Sequence, residues 1–140
     1  MATYYHTTDR GVNEGLIRRR GICPRAQLPK WAKKASTLDA HAVYVTNHLG
    51  HAASFGTYGS DKILYKITHL PNKCRVVPDP EFGFHEGDRG IWAWKIKGCG
   101  CVKPQRKCEF NDHDINKAKM GDTFENTEKW LRANCEWVKA

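Results

Sequence analysis

Few side chains in this 140-residue sequence have types and spacing suited to chemistry. His6 stands in YYHTTD between aromatic and hydroxyl residues, and Tyr44 stands in the apolar stretch AVYVT. A neutral imidazole offers one donor and one acceptor, and a phenol adds a polar tip to an apolar ring. Taken singly, the two read as easily as a junction histidine and a core aromatic; their placement in successive segments of similar design is more specific. Cys99, Cys101, Cys108 and His113 are zinc-ligand types in a reducing compartment. Their irregular spacing matches no standard zinc signature, and no metal is expected. Between Arg18 and Lys34, seven cations (Arg18, Arg19, Arg20, Arg25, Lys30, Lys33 and Lys34) gather around Trp31, with no acid until Asp39. That run suits an anionic partner.

The elements that must position these residues follow from periodicity. Tyr4 to Thr7 reads as a strand, and Thr8 or Asp9 as the N-cap of a helix with Val12, Leu16 and Ile17 on one side, stopped by Gly21. AVYVT (42–46) reads as a buried strand. After it comes a short helix capped at Thr46 or Asn47, carrying Leu49, Ala52, Ala53 and Phe55, and ended by Gly56 and Gly59. Further strands are expected over 62–68, 74–77 and 90–98, the second stopped by the prolines of PDPEF and the third carrying Trp92, Trp94 and Ile96 on one face. A last helix is predicted from a cap at Asp122 with Glu125 three residues on, through Phe124, Leu131, Cys135 and Val138, with Trp130 and Trp137 as packing residues. The order, strand and helix twice and then mostly strands, implies an α+β domain.

Length implies one domain over residues 1–140, with a core that needs no staples. No apolar run approaches a membrane span and the first residues lack a signal-peptide core, so a soluble cytoplasmic protein with reduced cysteines and no membrane partner is expected. The formal charge of +8 points to nucleic acid, a nucleotide or an acidic surface. The histidines His41, His48, His51, His69 and His85 read as solvent-facing or loop residues.

YYHTTDRGVNEGLIRRRGI and AVYVTNHLGHAASF resemble the first two motifs of the ADP-ribosyltransferase superfamily, in its His-Tyr branch of diphtheria-toxin-like and poly(ADP-ribose) polymerase-like enzymes. The likeness covers about residues 4 to 70. It implies a split β-sheet core with flanking short helices and a C-terminal helix, and a mono-ADP-ribosyltransferase that cleaves NAD and passes ADP-ribose to a protein or nucleic acid. Carried over, His6 and Thr8, with Thr7 beside them, hold the ribose, and Tyr44 stacks on nicotinamide with Phe55, eleven residues on, closing the slot. The basic run from Arg18 to Lys34, with Arg19 and Arg20 as the cofactor-binding candidates in it, suits the NAD pyrophosphate or an acceptor strand. A flat leaving group and a rigid ribose are what an oxocarbenium-like transition state requires. The third motif falls on FHEGDRGIWAWKIKG, where Glu86 first and Asp88 second are the carboxylates expected to face the forming cation, and Arg89 would oppose it. An arginine there would suit phosphate. RNA 2'-phosphotransferases share this fold and carry a Gly-apolar-Trp element similar to Gly90–Trp92, although Tyr5 stands where they place an arginine. A non-catalytic basic binding module is the third possibility. The enzyme is expected to act as a monomer, and small solitary transferases of this kind include toxins and phage effectors.

Overall fold

A computed structural model describes residues 2–32, 38–79 and 92–140. Among them, seven strands form one antiparallel sheet in the order β4-β5-β2-β1-β3-β6-β7. The strands are β1 (Tyr4–Asp9), β2 (Val43–Thr46), β3 (Asp61–Ile67), β4 (Arg75–Pro78), β5 (Ala93–Lys97), β6 (Arg106–Asn111) and β7 (Val138–Lys139). The helices are α1 (Glu14–Arg20), α2 (Leu49–Ala52), α3 (Asp112–Lys117) and α4 (Phe124–Asn134). The expected α+β class is the observed one. No described helix is long and apolar enough to cross a membrane.

The sheet is buried on both faces, which is why β3 reads as an almost continuous apolar run rather than a clean alternation. On one face Ile17 of α1 packs with Val43, Val45, Ile63, Tyr65, Ile67 and Ile96. On the other, Tyr5, Leu64 and Phe110 meet Leu49 and Ala52 of α2, Ile115 of α3 and Leu131 of α4. Alternate residues of β3 serve opposite layers, as the two-residue period demands. Helices α2 and α4 pack so closely that a Cβ on Gly50 would collide with the carbonyl of Phe124.

Several expected boundaries move, each for a local reason. Helix α1 begins at Glu14 after Asn13 in a left-handed conformation, not at a Thr8 or Asp9 cap. Asp9 is used elsewhere: its carboxylate accepts from Thr57 N–H and Oγ1, both at 2.7 Å, and from Ser60 Oγ, tying β1 to the loop before β3. Gly21 does end α1, at φ +90°, and a Cβ there would lie 2.6 Å from the Val102 carbonyl oxygen. His48, rather than Thr46 or Asn47, caps α2 by accepting from His51 N–H, and Thr123, rather than Asp122, caps α4.

The final helix stops at Asn134 instead of reaching Val138. Cys135 is extended, Trp137 lies against Tyr5 with ring centroids 6.2 Å apart, and Val138 pairs with Lys107. Strand β6 and helix α3 were not foreseen.

The cysteines overturn the reduced-thiol expectation. Cys23 is bonded to Cys101 and Cys74 to Cys99, so both bonds hold the turn after β5. Cys108 and Cys135 are free thiols.

Candidate functional site

The site begins with a gap in the sheet. Strand β1 pairs with β3 through six register pairs, from Tyr4↔Ile67 to Asp9↔Lys62, but with β2 through Tyr5↔Thr46 alone. Two positions on, where the same register would set Thr7 opposite Tyr44, the Tyr44 carbonyl bonds His6 Nδ1 at 2.8 Å. A carbonyl only accepts, so Nδ1 carries the proton and Nε2 keeps its lone pair. Burial holds the His6 pKa below the ordinary histidine value, with the bond to Tyr44 pulling the other way. His6 is therefore a neutral imidazole at pH 7, with its accepting nitrogen left over.

Two adjoining cavities open at this parting, and His6 and Tyr44 line both. The smaller, about 170 Å³, is lined by His6, Thr7, Tyr44, Phe55, Asp79 and Ala93 among others. The larger, about 280 Å³, takes in Thr8, Leu16 and Ile17 of α1, Arg25 and Asp39. Thr7 is 6% exposed, and among the described residues its Oγ1 has no hydrogen-bond partner. A buried orphan hydroxyl costs about 1–3 kcal/mol, and Thr7 is one of the residues lining the smaller cavity.

Tyr44 is held at both ends. Its backbone carbonyl is the His6 acceptor, and its Oη accepts from Asp39 N–H at 2.8 Å. Asp39 in turn meets Lys97 at 2.9 Å, and that contact, with the His41 N–H, keeps its carboxyl below the usual range. Arg25 Nη2 donates to Leu38 O at 3.0 Å and Ala26 N–H to Ala40 O at 2.8 Å. These bonds lay residues 38–40 along the wall of the cleft.

Phe55 follows α2 and meets His51 edge-on, centroids 5.0 Å apart. His51 is 5% exposed and bonded to Thr46 Oγ1 at 3.1 Å, and His48 stacks on Trp92 at 3.9 Å. His51 is an interior residue and His48 a half-buried one, not solvent-facing, because Phe55, Phe124 of α4 and Trp92 pack around them. His41 and His69 are exposed as expected.

The structure thus brings His6, Thr7, Tyr44 and Phe55 to one cavity, and Thr8 to the adjoining one. Arg19 and Arg20 are exposed on the last turn of α1 and line neither; Arg25 is the arginine that does. Glu86 and Asp88, with His85, Arg89, Lys33 and Lys34, lie outside the described residues. Cys99, Cys101, Cys108 and His113 are not gathered: two are in disulfides, Cys108 is buried on β6, and His113 lies against Gly59 and Tyr58. Among the described residues no three His, Cys, Asp or Glu side chains are placed to hold a metal.

Sequence reasoning missed Asp79. It follows β4, is 0% exposed, and lines the smaller cavity. The available signal was an acid set directly after an apolar strand in VVPDP, where the prolines drew attention as punctuation alone. The chain matches no family model, no curated protein and no solved structure.

Proposed function

We propose that the protein is a mono-ADP-ribosyltransferase that cleaves NAD and transfers ADP-ribose to an anionic macromolecule, on an ADP-ribosyltransferase-like split sheet. The observation that carries this reading is the convergence of His6, Thr7, Tyr44 and Phe55 on one cavity, where β1 and β2 part. The residues present suit the substrate. Nε2 of His6 accepts a ribose hydroxyl, and the unpartnered Thr7 hydroxyl supplies a second polar contact. The Tyr44 and Phe55 rings give a flat, apolar slot for nicotinamide.

With the ribose held and the ring clamped, the glycosidic C–N bond breaks heterolytically. The electron pair stays on the departing nicotinamide nitrogen, and the ribosyl cation is captured by an acceptor nucleophile that gives up a proton. Orientation of this kind supplies several kcal/mol of a barrier, on the order of 7–11 in favourable cases. His6 acts by position and hydrogen bonding, since a neutral imidazole whose Nδ1 proton is committed to a carbonyl needs no change of charge.

For the acceptor, the exposed Arg18, Arg19 and Arg20 and the 74% exposed Trp31 beside Lys30 favour nucleic acid, since cations track phosphates and an exposed indole stacks on bases.

The test is release of nicotinamide from NAD by purified protein, followed by labelled NAD in lysate to see whether label follows protein, DNA or RNA. Absence of nicotinamide release with and without nucleic acid present overturns the enzyme reading and leaves a basic binding module.

A further inference from the structure

Four of the six cysteines are joined in pairs, and the other two stand against each other on the opposite face of the sheet from α1. Cys108 lies opposite Leu64 in the β3–β6 ladder and two residues from Phe110, so it faces the layer of α2, α3 and α4. Cys135 is the extended residue that ends α4, its N–H bonded to Leu131 O at 2.8 Å, and it packs against the same layer. The pairing of Val138 with Lys107 then folds the chain back along β6. The two sulfurs meet: the Cys135 thiol donates to Cys108, and the Glu136 N–H points at the same sulfur. Cys108 is 2% exposed, whereas Cys135 is half-buried between the exposed Asn134 and Glu136. The bond from Cys135 holds the Cys108 pKa below the ordinary thiol value against the opposing effect of burial; the same bond, together with burial, pushes the Cys135 thiol up.

From this contact we infer that Cys108 and Cys135 are a dithiol oxidation site, which closes to a third cystine with a low-molecular-weight disulfide such as oxidised glutathione as the oxidant. The half-buried Cys135 is the thiol that an outside disulfide reaches. Its sulfur gives up a proton and bonds one sulfur of the donor, whose other half leaves as a thiol. The Cys108 sulfur, already in contact, then gives up its own proton, bonds the Cys135 sulfur and expels the second half. The protein loses two electrons and two protons, and the donor gains them as two thiols. A resolving sulfur held in place makes the second step intramolecular, so the mixed disulfide is short-lived. The cystine ties the end of α4 to β6 around a loop that contains α3 and α4. It also fastens the segment that lays Trp137 against Tyr5, the β1 residue before His6. None of this depends on NAD cleavage.

The experiment treats the full chain with oxidised glutathione, alkylates the remaining thiols in denaturant and maps the cystines by mass spectrometry. Treatment is expected to remove both alkylatable thiols with the loss of two hydrogens, leave no glutathione adduct, and give a peptide linking Cys108 to Cys135. The melting temperature is expected to rise by about 5 °C or more, because the new link restricts the unfolded chain. A protein isolated with that cystine already formed supports the inference equally. Thiols that both stay alkylatable, an adduct that persists on wild-type Cys135, or a cystine joining either residue to another cysteine overturns it. A link that leaves the melt unchanged overturns its fastening role. Cys108→Ser is expected to trap glutathione on Cys135, and Cys135→Ser to leave the buried Cys108 unmodified; the reverse pattern overturns the order of attack. If Cys108→Ser does not fold, the map of the wild-type protein decides.

Discussion

Strand β1 has two edges that behave differently. Toward β3 it keeps a full ladder of six register pairs, flanked by Leu64 and Ile67, both 0% exposed. Toward β2 it keeps one pair, then spends an imidazole on the Tyr44 carbonyl and opens into cavities. One edge satisfies its backbone groups with backbone and serves stability. The other gives a backbone carbonyl to a side chain, and that is where His6, Thr7 and Tyr44 gather around a cavity. The half of the sheet beyond the parting, β2-β5-β4, has two disulfides at its far turn.

The largest effect is expected from removing those disulfides. Chain entropy assigns about 3 kcal/mol or more to each, since the linked cysteines are 25 and 78 residues apart. Thermal melts with and without reductant should differ by well over 10 °C; superimposable melts would mean that the β4–β5 half stands on its packing alone.

Next comes Leu64→Ala on the paired edge, a fully buried truncation expected to cost about 3–4 kcal/mol in denaturant unfolding. Nicotinamide release per folded molecule should stay within about twofold, as only the transition-state contacts enter kcat/KM. A matching fall in specific activity would show that the two edges are not separable.

The converse variants lie on the open edge. His6→Ala and Tyr44→Ala are each expected to lower NAD turnover about 100-fold, roughly 2.7 kcal/mol. They should cost less stability than Leu64→Ala, because both side chains line open space. Unaltered turnover in either removes that residue from the site, and unfolding of both assigns the pair to structure.

This contrast also explains what the sequence could reveal. The fully paired edge announces itself in KILYKI, and the α+β class follows from such runs. The helix caps did not, because Asp9, Thr46 and Asp122 are all plausible caps whose oxygens are used otherwise: Asp9 by Thr57 and Ser60, Thr46 by the His48 N–H before the helix and by His51, Asp122 by Asn126. His6, Tyr44 and Phe55 were legible as candidates because each sits next to a recognisable element boundary. Asp79 was not, since only the register of β4 on β5 brings it beside them. The disulfides were equally hidden, as pairing depends on which turns meet rather than on spacing.

A smaller effect should separate function from stability at one atom. Thr7→Val keeps the shape and removes the orphan hydroxyl, so stability is expected to rise by about 1 kcal/mol while NAD binding weakens severalfold. Binding and stability moving together would show that the hydroxyl serves the fold.

The smallest expected effect is the pH dependence of the bridge itself. The folded pKa of His6 is lowered from its ordinary value near 6.5, chiefly by burial. Between that value and the folded pKa the unfolded chain binds a proton that the folded chain does not, so stability must fall as pH drops through this window and be unaffected above it. For one group the slope is at most about 1.4 kcal/mol per pH unit. His6→Gln, which can still donate to the Tyr44 carbonyl, should flatten that part of the stability profile relative to wild type. Its subtraction removes the common contribution of the other histidines. Substrate binding should lose its His6-dependent component over a more acidic range than an exposed histidine would give, because protonating Nε2 removes the acceptor. A wild-type profile that gains stability over His6→Gln on acidification would mean that His6 is charged at the parting of β1 and β2, and the edge would then be an ion-binding seam rather than a neutral, hydrogen-bonding one.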